Sequence, residues 1–479
     1  MHDTIPLTDL TPSAHPDATQ HNPAVRLAQG RYQRLRRLLC VPLIGLFLLA
    51  PWLTLNGAPL LWMDLDTRAL HVVGLTLWPD DLLALTWLAF ASAFGLFAVA
   101  TLGGRLWCGF ACPQTVWSMM FIWVEEHVQG SRQQRLKARQ LPWSKKPWVK
   151  LALKHTLWLA IAVVTGFTFV AFFETGYGLA LQIISGQAGV SVWFWLVFFS
   201  GLTYLNGGWL REQVCLHMCP YARFQSVMLD EKSLKVTYDL ARGEPRSTLK
   251  AGPQADIKNQ TKTKRGDCVD CSLCVQVCPV GIDIRQGLQY ACIDCAACID
   301  ACDVVMEKTN RPKGLIRFEM ATGNAFNGQF VSLLKKRGKL WGYLLLAILC
   351  LGAFAAQLAL RETLDLHMTR DRGQLFFYNG DGQLANRYQL KLHNKSDQPL
   401  QLHWQVQDQA NNTGLNGLTI AAAPVTLLAG EQRTVSLEIV CPTQCMRQKN
   451  AASRHSIVLY VNDHHSTQQW QAQQRFYTD

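Results

Sequence analysis

Charge is scarce in this chain. Lys, Arg, Asp and Glu together make up 17% of its 479 residues, against about 25% in an ordinary soluble domain. A net charge of +12 raises the question of nucleic-acid binding. The basic residues form no single stripe, however. They flank long apolar runs, as the cytoplasmic loops of a membrane protein do. No Gly-x-Gly-x-x-Gly occurs and no flavin or nicotinamide motif is evident. There is no Cys-x2-Cys-His site for attached haem. A cleaved secretory signal is not expected either, because a polar stretch of 37 residues precedes an apolar run too long for a signal core.

Apolar runs are what the chain has instead. A membrane span needs about 20 mostly apolar residues, and five segments qualify: Leu38–Leu55, Leu82–Leu102, Val149–Phe173, Val190–Leu210 and Leu340–Leu360. Arg31, Arg34, Arg36 and Arg37 precede the first. Arg105, Arg132, Arg135, Lys137, Arg139, Lys145 and Lys146 follow the second. The segment Asn56–Asp81 sets Arg68 against four aspartates, and Glu174–Gly189 has no Lys or Arg. The positive-inside rule therefore puts the N-terminus and Arg211–Lys339 in the cytoplasm. The region after about Arg361 lies outside, in the periplasm of a Gram-negative cell, and the protein is expected in the inner membrane.

Sixteen cysteines are present, eight of them between Cys268 and Cys302. Cys268-x2-Cys271-x2-Cys274-x3-Cys278-Pro is followed by Cys292-x2-Cys295-x2-Cys298-x3-Cys302-Asp. This is the bacterial two-cluster ferredoxin pattern, in which the fourth cysteine of each run serves the other cluster. Cys268, Cys271, Cys274 and Cys302 are expected to hold one 4Fe–4S cluster, and Cys292, Cys295, Cys298 and Cys278 the other. Paired zinc sites would also use Cys-x2-Cys, but tandem four-cysteine runs are far more specific. A disulfide framework does not suit a reducing compartment. Asp303 replaces the usual proline, and its charge is expected to lower the potential of the cluster at Cys268, Cys271, Cys274 and Cys302.

Two more pairs stand just after spans. "GGRLWCGFACPQTVWS" carries Cys108 and Cys112, and "GGWLREQVCLHMCPYARFQS" carries Cys215 and Cys219. Each has Gly-Gly, an Arg and Cys-x3-Cys-Pro, which makes an internal repeat. Were each pair helical, its two cysteines would share one face. Soft thiolates select Cu(I), zinc or iron–sulfur clusters, and a transient dithiol–disulfide couple is the alternative. His217 and Met218 are further possible copper ligands, against an interfacial reading for His217. Cys40 and Cys350 read as small apolar packing residues. The basic stretch Arg242–Lys264 reads as a flexible linker, with contact to anionic lipid as its alternative.

After the fifth span, "RYQLKLHN", "LQLHWQVQD", "RTVSLEIVC" and "HSIVLYVND" alternate apolar and polar residues, as strands do. They suggest an immunoglobulin-like sandwich. Cys441 and Cys445 there read as a disulfide, with a copper site that adds Met446 as the sharper alternative. His367, Met368, His464 and His465 read as surface residues. The expected fold is a five-helix transmembrane α bundle with an inserted cytoplasmic α+β two-cluster ferredoxin domain and a C-terminal all-β sandwich. Its parts are an N-terminal tail (1–37), a four-helix region (38–229), the ferredoxin domain (230–339), the fifth helix (340–360) and the outer domain (361–479).

With those motifs in place, the layout resembles the CcoG family, also called FixG or RdxA, the cytochrome c oxidase accessory proteins. The resemblance covers nearly the whole chain from about Arg31. It implies reduction of Cu(II) to Cu(I) for the copper centre of a cbb3-type oxidase. Cys108, Cys112, Cys215 and Cys219 would then be the metal or redox site, fed by electrons from the two 4Fe–4S clusters. Implied partners are a subunit of that oxidase or its assembly and copper-transport proteins, membrane lipid, and quinol or a protein as electron donor, with no nucleic acid. A ferredoxin-type quinol dehydrogenase passing electrons to an external partner is the rival reading, and a non-enzymatic assembly scaffold the third. The missing haem site and an outer domain with no redox group beyond Cys441 and Cys445 count against the conduit.

Overall fold

The computed structural model describes residues 24–246, 266–320, 337–408, 418–441, 454–463 and 469–477, except 56–57, 229–232, 372 and 397. The chain forms two compact units that divide at Phe354/Ala355.

Four helices of the described chain are long and apolar enough to cross a membrane: Leu83–Gly103, Trp148–Glu174, Val190–Leu210 and Gly338–Ala359. Their outward residues are Leu, Phe, Val and Trp, many of them about half exposed. That is the inverse of a soluble helix bundle and suits a hydrocarbon solvent. The first expected span is a correction. Helix α1 (Arg31–Leu49) ends before Pro51, and the chain then turns into the strand Thr54–Leu55. Pro51 has no N–H to extend the helical ladder, and the Trp52 and Leu53 N–H groups turn back to the Leu49 carbonyl, so the helix ends there. Leu38–Leu49 would rise only ~18 Å at 1.5 Å per residue, short of a ~30 Å core.

The other helices of the first unit follow in order. They are α2 (Leu82–Gly103), α3 (Leu106–Phe110), α4 (Pro113–Gln129), α5 (Arg132–Gln140), α6 (Trp148–Glu174), α7 (Gly176–Ile184) and α8 (Val190–Tyr204). Two π-helical turns continue α8, Leu205–Leu210 and Val214–Met218, before α9 (Pro220–Met228). The cysteine-rich segment folds around an antiparallel strand pair, Lys235–Tyr238 with Ile316–Glu319, and the helices α10 (Leu240–Gly243), α11 (Leu273–Gln276) and α12 (Ala297–Lys308). Its two cysteine runs repeat one backbone course. Asp270 and Ser272 in the first, and Asp294 and Ala296 in the second, all take left-handed φ values between 49° and 59°. Non-glycine residues hold such values only where the surroundings fix them.

Helix α13 (Gly338–Ala359) runs into the second unit. There Leu364–Arg370, Leu384–Asn394, Gln432–Cys441 and two shorter strands make one sheet. Leu400–Asp408, Arg454–Asp463, Gln469–Tyr477 and Val425–Leu427 make the other. Alternate residues such as Tyr388, Leu390 and Leu392 point into the shared core, as the strand period of two requires. Cys441 is disulfide-bonded; Cys445, Met446, His464 and His465 lie outside the described residues. His367 is exposed, whereas Met368 is buried in the sandwich core.

Candidate metal and redox centre

The cysteine runs line two neighbouring cavities. One, of ≈ 350 Å³, is walled by Cys268, Cys271, Cys274 and Cys302 with Tyr238 and Arg285. The other, of ≈ 370 Å³, is walled by Cys278, Cys292, Cys295 and Cys298, with Cys274 at its margin. Each thus gathers three cysteines of one run and the last of the other. The rest of each wall is mostly apolar, Val236, Ile284 and Ile293 around one and Leu273, Met306 and Ile316 around the other. A dry wall with four thiols suits a 4Fe–4S cubane in each. Burial pushes the Cys274, Cys278 and Cys302 thiols up to about 12 and raises Cys292 and Cys298 well above the ordinary thiol value. Such thiols deprotonate only when a metal takes the proton's place.

Asp303 sits inside α12 rather than at its end, and its carboxylate accepts the Gly314 N–H at 2.9 Å. A proline there would remove an interior helical hydrogen bond, which explains the departure from the ferredoxin pattern.

The second cavity is the one that meets the Cys-x3-Cys segments. Arg105, just after α2, donates its backbone N–H to Asp294 at 3.1 Å. Its guanidinium donates to the Tyr290 and Cys292 carbonyls at 2.6 and 3.0 Å and to the Ala222 carbonyl at 3.4 Å. Asp294 also takes the Val236 N–H at 3.2 Å. Gly109 lies so close that a Cβ on it would stand 2.8 Å from the Ile293 carbonyl oxygen and 2.9 Å from that of Asp294. Cys108 packs in one apolar cluster with Val277, Ile293, Cys295 and Ala297, and Tyr221 joins its rim.

The two pairs are not each on one helix, contrary to the sequence expectation. Helix α3 stops at Phe110, Cys112 is extended, and its N–H bonds to the carbonyl of Trp107. Cys215 lies in a π-helical turn, Cys219 is extended, and its N–H bonds to the carbonyl of Val214. The proline after each second cysteine forces this and then starts the next helix at its first position. The repeat is therefore real in the backbone. Burial above all, with neighbouring cysteines adding to it, pushes Cys108 and Cys215 up to about 12. Cys108 is buried, Cys112, Cys215 and Cys219 half-buried, and His217 and Met218 exposed. Among the described residues no three His, Cys, Asp or Glu side chains stand as ligands of a single metal ion.

The two repeat arginines have different work. Arg105 grips the cysteine loop. Arg211, with φ 44°, reaches Glu125 of α4 at 3.0 Å, where Arg135 at 3.2 Å and Lys154 at 3.7 Å also converge. Gln114 ties α4 to the Asn206 and Arg211 carbonyls, and Gly207 lets that turn approach the Phe121 ring. Sequence reasoning noted the repeated Arg but not Asp294, Glu125 or the buried polar face of α1, since one sequence does not reveal their partners.

Fold and site together define a multi-pass membrane protein that carries a two-cluster iron–sulfur domain and a C-terminal β-sandwich. Residues 210–321 match a family described as a 4Fe-4S dicluster domain, and residues 354–479 one described as an Ig-like fold at the C-terminus of FixG. Protein RdxB of Cereibacter sphaeroides is 33% identical over 461 residues, 91% of this chain and 94% of that protein. Protein RdxA of the same organism is 33% identical over 78% of this chain and 79% of its own length. Nitrogen fixation protein FixG of Rhizobium meliloti is 33% identical over 77% of this chain and 75% of its own. The chain belongs to the FixG/RdxA family, and it is a membrane iron–sulfur electron-transfer protein.

Proposed function

We propose that this protein is a cupric reductase of the inner membrane. In this reading Cu(II), the substrate, meets Cys108, Cys112, Cys215 and Cys219 and leaves as Cu(I), for the copper centre of a cbb3-type oxidase or the proteins that assemble it. Cys268, Cys271, Cys274 and Cys302 hold one 4Fe–4S cluster and Cys278, Cys292, Cys295 and Cys298 the other. The cluster domain faces the cytoplasm and the sandwich, across the last span, faces the periplasm, with quinol or a protein as donor.

The observation that carries the reading is the seam between Cys108 and the Cys292–Cys298 loop, closed by Arg105, Asp294 and Gly109. When bound, 4Fe–4S clusters supply electrons singly, and cupric ion takes one. Thiolates bind cuprous better than cupric ion by softness, so the four thiols favour the product. Arg105 fixes the distance between the thiol segment and the cysteine loop. The half-buried Cys215 and Cys219 give the ion its way in, while apolar walls keep water from the cluster cavities. X-ray absorption at the copper edge of protein loaded with one Cu(I) tests this. A sulfur shell that disappears when the four cysteines become serine is expected; a shell of nitrogen and oxygen, or one unchanged in the variant, refutes it.

A further inference from the structure

Helix α1 buries three residues, Gln33, Arg36 and Cys40, at helical spacings that put them on one face. The helix starts on the cluster domain. Tyr32 and Gln33 donate their backbone N–H groups to Asp300 of α12 at 3.2 and 2.8 Å, and Gly30 packs against the same carboxylate with no room for a Cβ. The Gln33 side-chain amide donates to the Cys295 carbonyl at 3.1 Å. Two turns on, the Cys40 thiol lies 3.5 Å from the Phe110 carbonyl at the end of α3. Gln33 thus touches the loop of the second cavity, and Cys40 touches the segment between Cys108 and Cys112.

Arg36 sits between these two contacts. It is 6% exposed, and its Nε is buried without a hydrogen-bond partner. A buried guanidinium with an unsatisfied donor is costly. Arg36 lies one turn beyond Gln33, which holds the Cys295 carbonyl, and about one turn before Cys40, on the same buried face; its charge also reaches Glu212, a carboxyl 5% exposed three residues before Cys215. Burial raises Glu212, which Arg211 and then Arg36 draw back down. All of α1 lies outside the matched segments 210–321 and 354–479.

We propose that Arg36 is the electrostatic partner of the iron–sulfur site at Cys278, Cys292, Cys295 and Cys298, favouring its reduced state so that the electron rests beside the thiol segment. This rests on the reading that those four cysteines hold a cluster. Reduction adds one negative charge to the site, and a buried cation that screening reaches poorly stabilises that charge. The effect raises the potential of this site over its neighbour at Cys268, Cys271, Cys274 and Cys302. Gln33 is the positioning residue that holds α1 at the loop.

The test is a potentiometric titration with dithionite, followed by electron paramagnetic resonance, on anaerobically purified full-length protein with its iron counted. Two one-electron waves are expected. Arg36→Gln lowers one wave by about tenfold in its equilibrium, 59 mV for one electron, and leaves the other in place. Arg36→Lys keeps the charge and leaves both in place. Should the glutamine variant lose iron, Arg36→Met, which suits an apolar site, repeats the measurement. Waves unmoved in the uncharged variants overturn the proposal. Equal shifts in the lysine and glutamine variants also overturn it, because packing rather than charge is then responsible. Wild-type protein with iron for a single cluster overturns the cluster reading beneath it.

Discussion

Gly109→Ala isolates the seam between thiol segment and cluster loop without touching a cysteine. The added methyl meets backbone, 2.8 Å from the Ile293 oxygen, 2.9 Å from the Asp294 oxygen and 3.0 Å from the Asp294 carbonyl carbon. Backbone cannot rotate away as a side chain can. An ordinary contact needs about 3.4 Å, so the loop and α3 must part by about 0.6 Å, and overpacking of this kind costs about 1–3 kcal/mol. At 1.4 kcal/mol per factor of ten, the closed seam becomes about 5- to 150-fold less favoured. Hydrogen exchange reads this locally. The Arg105 and Val236 amides, both bonded to Asp294, should lose protection by that factor, while cluster absorbance and the sandwich amides stay unchanged. Protection unchanged at Arg105 would refute the seam as a tight backbone contact.

Glu125→Gln removes the carboxylate that Arg135, Lys154 and Arg211 share; removing one side of a buried ion cluster costs about 3–5 kcal/mol, so monodisperse protein in detergent should be lost on size exclusion. Copper affinity should rise with pH from 6 to 8 by about tenfold per unit for each thiol proton released, because Cys108 and Cys215 stay protonated up to about 12; a flat profile contradicts this. Burial would raise the Asp283 carboxyl, but the hydrogen bonds from Arg285 at 2.7 and 2.8 Å outweigh it and hold the carboxyl below its ordinary value. That stabilisation is present above the ordinary carboxylate value and lost as pH falls through the lowered one. Arg285→Met should therefore bleach the clusters at a higher pH in an acid titration. Asp303→Asn keeps an acceptor for Gly314 and removes a charge near Cys302, so the potential of that cluster should rise in redox titration.

The parts legible in sequence were those set by period and spacing. Four apolar runs became long helices because hydropathy alone decides them, and the alternation in "RYQLKLHN" and "RTVSLEIVC" became strands of the sandwich. The first run misled because its length was counted through Pro51. At Pro113 and Pro220 the bias of the preceding residue away from the helical region is followed, and Cys112 and Cys219 are extended. In sequence Arg36 is one of four charges before the first apolar run, and its burial is a tertiary fact. Asp294 and Glu125 carried no signal, since a buried carboxylate is recognised by partners that lie 189 and 86 residues away in the chain, as Arg105 and Arg211 do.

The central claim is that the four thiols receive the electrons of the cluster domain and give them to copper. Anaerobic stopped-flow mixing of dithionite-reduced protein, freed of excess reductant, with Cu(II) tests it most directly. Cluster absorbance and a Cu(I) chelator are followed together. The wild type should reoxidise its clusters and yield one Cu(I) per electron lost. The variant with serine at 108, 112, 215 and 219 should keep its clusters reduced. Equal reoxidation and equal Cu(I) from both proteins would contradict the account.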